Sequence, residues 1–179
     1  MGKEIYVNNR EEQISSYDNY IKNHRRNVWN AFNEFTSIFI KAFPEVFNDN
    51  NISRQLSRNV ALHDYSKFDD NEFYQYANRF YPIKGTQCDS NDPKYKLAWL
   101  HHIHNNPHHP EHWVYWDDGK DIILDMEDIY IIEMLCDWEA MSMYFGTKTI
   151  DYYHEHGLKD HPFSERTKRK LEEYFSYFK

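Results

Sequence analysis

The sequence has few cysteines, no long apolar run and no excess of basic charge. Its two cysteines, Cys88 and Cys136, form no CxxC pair. That argues against a disulfide framework and against a thiolate zinc site. No stretch approaches the roughly 20 consecutive apolar residues of a membrane span. Met1 to Arg10 holds no apolar core of a secretory signal. A soluble, cytoplasmic protein without membrane contact is expected. Lys and Arg number 21 against 29 Asp and Glu, a formal net charge of −8. This balance argues against general nucleic-acid binding, which draws its affinity from a basic surface. It leaves room for a local basic pocket around a small anion. No internal repeat, low-complexity tract or linker interrupts the chain, and nothing in it sets an oligomeric state.

What is present is aromatic and histidine-rich. Aromatic residues make up 18 % of the chain, with 15 Tyr, 12 Phe and 5 Trp, which argues against disorder. A chain of 179 residues fits one domain and can bury roughly 70 % of its unfolded surface. Eleven residues are histidine. Six of them fall between His101 and His112.

Apolar spacing predicts an all-α fold. From about Glu12, Ile14, Tyr17, Ile21, His24, Val28, Phe32, Phe35 and Phe39 recur three and four apart, a helical seam that Pro44 closes. His24 lies inside that seam and is expected to point inward. Arg25, Arg26, Asn30 and Glu34 lie outside it or on its flank. Ser53 is the expected cap of a second helix, which carries Leu56, Val60, His63 and Asp64 toward its end. Asp69 or Asp70 caps a third, through Phe73, Tyr76, Ala77 and Phe80. Asp92-Pro93 is a strong helix start, and Pro107 stops that helix near Asn105. Residues 113–124 read as a small β-hairpin or as two extended arms. Asp125 is expected to cap the helix that carries Ile129, Ile132, Glu133, Asp137 and Tyr144, and Gly146 to end it. A short segment around Ile150 to His156 follows. Ser164 caps a last helix with Leu171, Tyr174 and Phe178.

The chemistry gathers at His63-Asp64, two strong metal-ligand types side by side with Lys67 three residues on. Adjacent helical residues point about 100° apart, so the pair grips one ion only if the ion sits beside the helix and other helices supply the remaining ligands. Inward His24 is one donor. Asp137 is another: its neighbours at helical spacing are mostly apolar, and a carboxylate buried there costs several kcal/mol unless paired or metal-bound.

The order His24 … His63-Asp64 … Asp137 resembles the HD-domain superfamily of metal-dependent phosphohydrolases. His24-Arg25-Arg26-Asn27-Val28 resembles the family's first histidine helix. His63-Asp64-Tyr65-Ser66-Lys67 resembles its His-Asp-x-x-Lys variant, and Leu135-Cys136-Asp137-Trp138-Glu139-Ala140 the helix with the closing aspartate. The chain is also similar to a group of small phage and bacterial HD-like proteins without a settled activity, through His-Asp-x-Ser-Lys-Phe, Asn-x-His-His and Glu-Met-x-x-Asp-Trp. The resemblance implies one HD-like helical domain over 1–179, with a metal-site core at about 14–144 and a helical extension at about 147–179. It implies that His24, His63, Asp64 and Asp137 hold a divalent transition metal, and that Asp64 and Lys67 act on a small phosphorylated substrate. His101 or His102, with His108 or His109, would suit a second ion or the substrate, His102 being preferred. The His101-His102 pair lacks the Glu and Gly-rich tail of the cyclic-dinucleotide phosphodiesterase branch, which speaks against that substrate. Imidazole and carboxylate donors suit Mn, Fe, Co, Ni or Zn.

Each of these residues also has an ordinary role. His24 alone reads as a satisfied core histidine, and Lys67 as a cation near a helix C-terminus. His108, His109 and His112 can cap a loop and stack on Trp113. Glu72 fits a helix first turn, where a carboxylate complements the dipole, or a catalytic helper. Glu133 fits either an acceptor behind the ligands or the bundle itself. Lys22, Arg25 and Arg26 form a solvated face or steer an anion. Three functions follow: a phosphohydrolase acting on a nucleotide or other small phosphoester; an HD-like di-iron oxygenase, for which the surplus histidines argue; and a non-enzymatic HD-like binding or inhibitor protein.

Overall fold

A computed structural model describes residues 5–86, 89 and 91–178. Cys88 and the first four residues of the polar N-terminal segment lie outside the described residues. Cys136 is a free, buried thiol. The fold is all-α with one small hairpin. The helices are α1 (Arg10–Ala42), α2 (Pro44–Asn48), α3 (Asn50–Ala61), α4 (Asp70–Phe80), α5 (Pro93–Asn105), α6 (Asp128–Phe145), α7 (Thr149–Tyr152), α8 (Leu158–Asp160) and α9 (Glu165–Ser176). Strands β1 (Val114–Asp117) and β2 (Lys120–Ile123) pair antiparallel, Val114 opposite Ile123, around a turn in which Asp118 and Gly119 both have positive φ. Among the described residues no helix is long and apolar enough to cross a membrane.

The chain divides into two compact units. Of the described residues, the first unit holds 5–25 and 64–106, and the second 26–63 and 107–178. The chain passes between them at three peptide bonds: Arg25–Arg26 within α1, His63–Asp64, and Asn106–Pro107. In the first unit, α4 packs on α5. Its core joins Val7, Tyr17, Ile21, Tyr76, Ala77, Tyr81 and Ala98. The α1 seam departs from expectation at its start, where Ile14 is exposed and Gln13 is buried instead. Gln13 Nε2 donates to the Tyr81 carbonyl at 2.8 Å, which satisfies both groups at the end of α4.

The second unit is built around α6. Most of its residues from Asp128 to Ser142 are buried, so it is enclosed on nearly every side rather than amphipathic. Val28, Phe32 and Phe39 of α1, Leu56 and Val60 of α3, and Leu171, Tyr174 and Phe175 of α9 share one core with it. Beyond Gly146, Tyr153, Phe163 and residues of α9 belong to that core. Phe39 stacks on Tyr174 with ring centroids 5.3 Å apart.

Two caps differ from the sequence reading. Asp49, not Ser53, caps α3, its carboxylate accepting from the Asn51 and Ile52 N–H groups. The chain has already turned at Asp49 after the short α2, so the earlier cap candidate is used. α6 begins three residues beyond Asp125, which instead accepts from the Ser164 hydroxyl at 2.6 Å. Asp69, Asp92, Ser164 and Gly146 cap as expected.

Candidate functional site

α3 ends one turn earlier than expected. The Leu62 N–H closes it on the carbonyls of Arg58 and Asn59, and His63 and Asp64 follow in a tight turn. Asp64 is left-handed, at φ 55° and ψ 22°, a conformation aspartate tolerates better than most residues. A single 3-10 turn, Tyr65–Phe68, comes next. The His63 and Asp64 side chains are thus aimed by this turn, and not by a helical rotation of 100°. Arg25 lies over the rings of Tyr65 and Phe68, which braces the turn from α1.

In the first unit, Asp64 is the hub. It is 1 % exposed. Its Oδ2 lies 2.5 Å from Lys67 Nζ and 3.5 Å from His24 Nε2, and its Oδ1 lies 3.3 Å from His102 Nε2. His24 is buried as expected, and Tyr20 stacks on its ring. His102 comes from the buried face of α5, with Ala98 and Ile103. The apolar stripe Leu97, Leu100 faces solvent together with His104. Behind His102 stands Glu72, fully buried in the first turn of α4. Its Oε2 accepts from His102 Nδ1 at 2.8 Å, and its Oε1 from His101 Nδ1 at 2.7 Å.

The second unit repeats the pattern. Glu133 and Asp137 sit one helical turn apart on α6. His63 lies between them, with Nδ1 3.0 Å from Glu133 Oε1 and Nε2 3.9 Å from Asp137 Oδ1. Asp137 is less buried than its stripe implied, with a side chain 18 % exposed. His108 is buried in the loop after α5, its Nδ1 3.2 Å from the same Glu133 oxygen. Ligand-type atoms of His63, His108 and Glu133 lie within 4.8 Å of one another. The His108 ring is 4.3 Å, centroid to centroid, from those of both His63 and His109. His112 leans on Trp113, in its expected packing role.

Electrostatics follow from this arrangement. Burial alone would raise the pKa of Glu133, but His108 and His63 outweigh it and hold the carboxyl down to about 2. Glu72 is likewise held below its ordinary value, since hydrogen bonds from His102 and His101 overcome burial. For His102 burial dominates and depresses its pKa, against the pull of Asp64 and Glu72. A neutral imidazole has one N–H to give, and the shorter contact, to Glu72, takes it. His102 Nε2 then turns a lone pair toward the Asp64 carboxylate. Two acceptors facing each other in a buried place is an arrangement that a cation stabilises.

These clusters of histidine and carboxylate could hold a metal ion. Donors about 2.1 Å from a shared ion stand about 3.0–3.4 Å apart in octahedral or tetrahedral geometry. The His102–Asp64 and His24–Asp64 separations of 3.3 and 3.5 Å are close to that range, and His63–Asp137 at 3.9 Å is wider. The two sets are joined by the peptide bond between His63 and Asp64. The model of a family of unknown function, DUF5662, matches residues 13–177. The chain belongs to this family. The DUF5662 match takes in every candidate residue from His24 to Asp137, and α9 as well. No curated protein and no solved structure matches the chain.

Glu133 thus takes the first of its two expected roles, an acceptor behind a candidate ligand, and Glu72, in the first turn of α4, stands behind another. Glu133 had a local signal, its position one turn before Asp137. Glu72 had none, because its partners lie 29 and 30 residues away.

Proposed function

We propose that this chain is a metal-dependent phosphohydrolase of HD type that acts on a nucleotide or another small phosphoester. The expected metal donors are His24 and Asp64 in the first unit and His63 and Asp137 in the second. The observation that carries this reading is the repeated Glu–His–Asp arrangement: a glutamate holds Nδ1 of His102 and of His63, while Nε2 of each faces an aspartate. Metal-binding histidines are held in this way, by a hydrogen bond at the nitrogen that does not ligate. The sequence order His … His-Asp … Asp supports the HD assignment. A bound divalent ion would lower the pKa of a coordinated water toward ~7 and draw charge from a phosphoryl oxygen.

The chain's own residues account for the rest. Asp64 fixes the Lys67 ammonium at 2.5 Å. An ammonium carries three donors, so Lys67 can serve Asp64 and still offer hydrogen bonds to a phosphate oxygen. Lys67 also offsets part of the negative charge that Asp64 and a phosphate would bring together. The test is elemental analysis of the purified protein with phosphate release from a panel of nucleotides and small phosphoesters. Metal should be present, and His63→Ala and Asp64→Ala should abolish release. Protein without metal, or activity unchanged in both variants, defeats the proposal.

A second reading rests on the surplus imidazoles. His102 and His108 are both buried, which is more histidine than one ion requires. Two irons activating oxygen would use them. Iron content with oxygen consumption favours that chemistry, and a redox-inert ion with phosphate release excludes it. Metal without turnover on either assay points to a binding protein.

A further inference from the structure

His102 and His63 are each clamped between two carboxylates. For His102 the carboxylate contacts are Glu72 at Nδ1, 2.8 Å, and Asp64 at Nε2, 3.3 Å; Asn106 Nδ2 and Ser66 Oγ also approach Nδ1, at 3.1 and 3.4 Å, and Glu72 is the nearest of the three. For His63 the carboxylate contacts are Glu133 at Nδ1, 3.0 Å, and Asp137 at Nε2, 3.9 Å. In both, the glutamate is the nearer carboxylate and the aspartate the farther. A neutral imidazole can satisfy only one side with its proton. We propose that Glu72 and Glu133 are positioning residues, which lock His102 and His63 in the Nδ1–H tautomer and so present Nε2, lone pair first, as a divalent-metal ligand. This deepens the metal-site reading and rests on it.

The two locks differ in detail, and the difference is testable. Glu72 uses both oxygens, Oε1 for His101 and Oε2 for His102. Glu133 meets His63 and His108 with the same oxygen, Oε1. An amide keeps one acceptor and turns the other into a donor. Glu133→Gln can therefore keep its acceptor on His63. Glu72→Gln cannot serve both His101 and His102, so one of them must reverse its tautomer. A merely structural glutamate predicts the same tautomers but no change in Co2+ affinity.

The experiment reads imidazole 15N shifts in metal-free protein at pH 8, followed by Co2+ affinity from chelator competition. Expected in the wild type is Nδ1–H on both His63 and His102. Glu133→Gln should retain that state at His63, with Co2+ affinity close to wild type. Glu72→Gln should convert His101 or His102 to Nε2–H. Glu72→Ala and Glu133→Ala should weaken Co2+ binding about 10- to 100-fold, the usual effect of losing such a support. Nε2–H on His63 or His102 in the wild type overturns the proposal, and that measurement requires no variant to fold. So do an unaltered tautomer pattern in Glu72→Gln and unaltered Co2+ affinity in folded alanine variants. Nδ1–H on both histidines in a protein that binds no Co2+ overturns the metal reading and the ligand role with it, while the tautomer lock itself stands. Co2+ binding with no phosphoester turnover defeats only the phosphohydrolase reading.

Discussion

Asp64→Asn replaces one carboxylate oxygen by an N–H2 and keeps the shape of the side chain. Asp64 is 1 % exposed, and His102 Nε2 and His24 Nε2 face it at 3.3 and 3.5 Å. In the metal-free protein the new amide can donate to one of those nitrogens, a hydrogen bond worth about 0.5–1.5 kcal/mol. The substitution also removes a desolvated charge, which works in the same direction. Against this stands the lost pairing with Lys67, whose side chain is 18 % exposed and can turn to water. The balance favours the variant by about 1 kcal/mol, or roughly 2–4 °C in Tm for a chain of this size. Metal should reverse the order. At 100 times its Kd, Mn2+ stabilises the wild type by about 2.7 kcal/mol, or roughly 5–10 °C on the same scale, and should leave the variant unmoved. The assay is thermal unfolding of chelator-treated protein, then of the same protein titrated with Mn2+. A variant less stable than wild type by more than about 2 kcal/mol, with no Mn2+ response in either, would refute the reasoning. Asp64 would then be one half of a structural ion pair with Lys67.

Other outcomes follow from the same contacts. Lys67→Ala should lower phosphoester turnover while leaving metal content intact, and turnover equal to wild type would remove Lys67 from the chemistry. Arg166→Ala should destabilise the chain by about 1–3 kcal/mol in urea, because it strips Asp128, at 2.6 Å, and the Met126 carbonyl, at 2.8 Å, of their donor; an unchanged urea midpoint would count against this. Glu139 is buried, and burial raises its pKa above 4.5 despite the hydrogen bond from the Tyr174 hydroxyl at 3.2 Å. The folded state thus holds this proton more tightly than the unfolded state does. Its contribution is fully present below pH 4.5 and is lost as pH rises through the folded value. Glu139→Gln should flatten that slope and gain on wild type toward neutral pH, as urea midpoints measured across pH would show.

Much of the fold is legible because helix ends are written in local chemistry. Asp92-Pro93, Gly146 and Ser164 each act through a backbone group within a few residues. Where two candidates stand close together, as Asp49 and Ser53 do, local chemistry does not choose, and the path of the chain decides. The candidate site is less legible for a different reason. On α5 the apolar stripe of Leu97 and Leu100 looks like the buried face, yet Ala98 and His102 are buried instead. A histidine can be buried only if its polar atoms are met, and what meets His102 is Glu72, on another helix.

That dependence bears on the functional argument. Burying Glu72 and Glu133 costs several kcal/mol each unless they are matched. A fold serving stability alone would do as well or better with apolar residues at these positions. Here each buried carboxylate is matched by histidines, and His102 and His63 each turn their second nitrogen toward an aspartate. The arrangement makes sense if, in each unit, the nitrogen and its aspartate have a cation to serve. The left-handed backbone at Asp64 points the same way, since the turn spends conformational energy to set the one side chain that His24, Lys67 and His102 all approach.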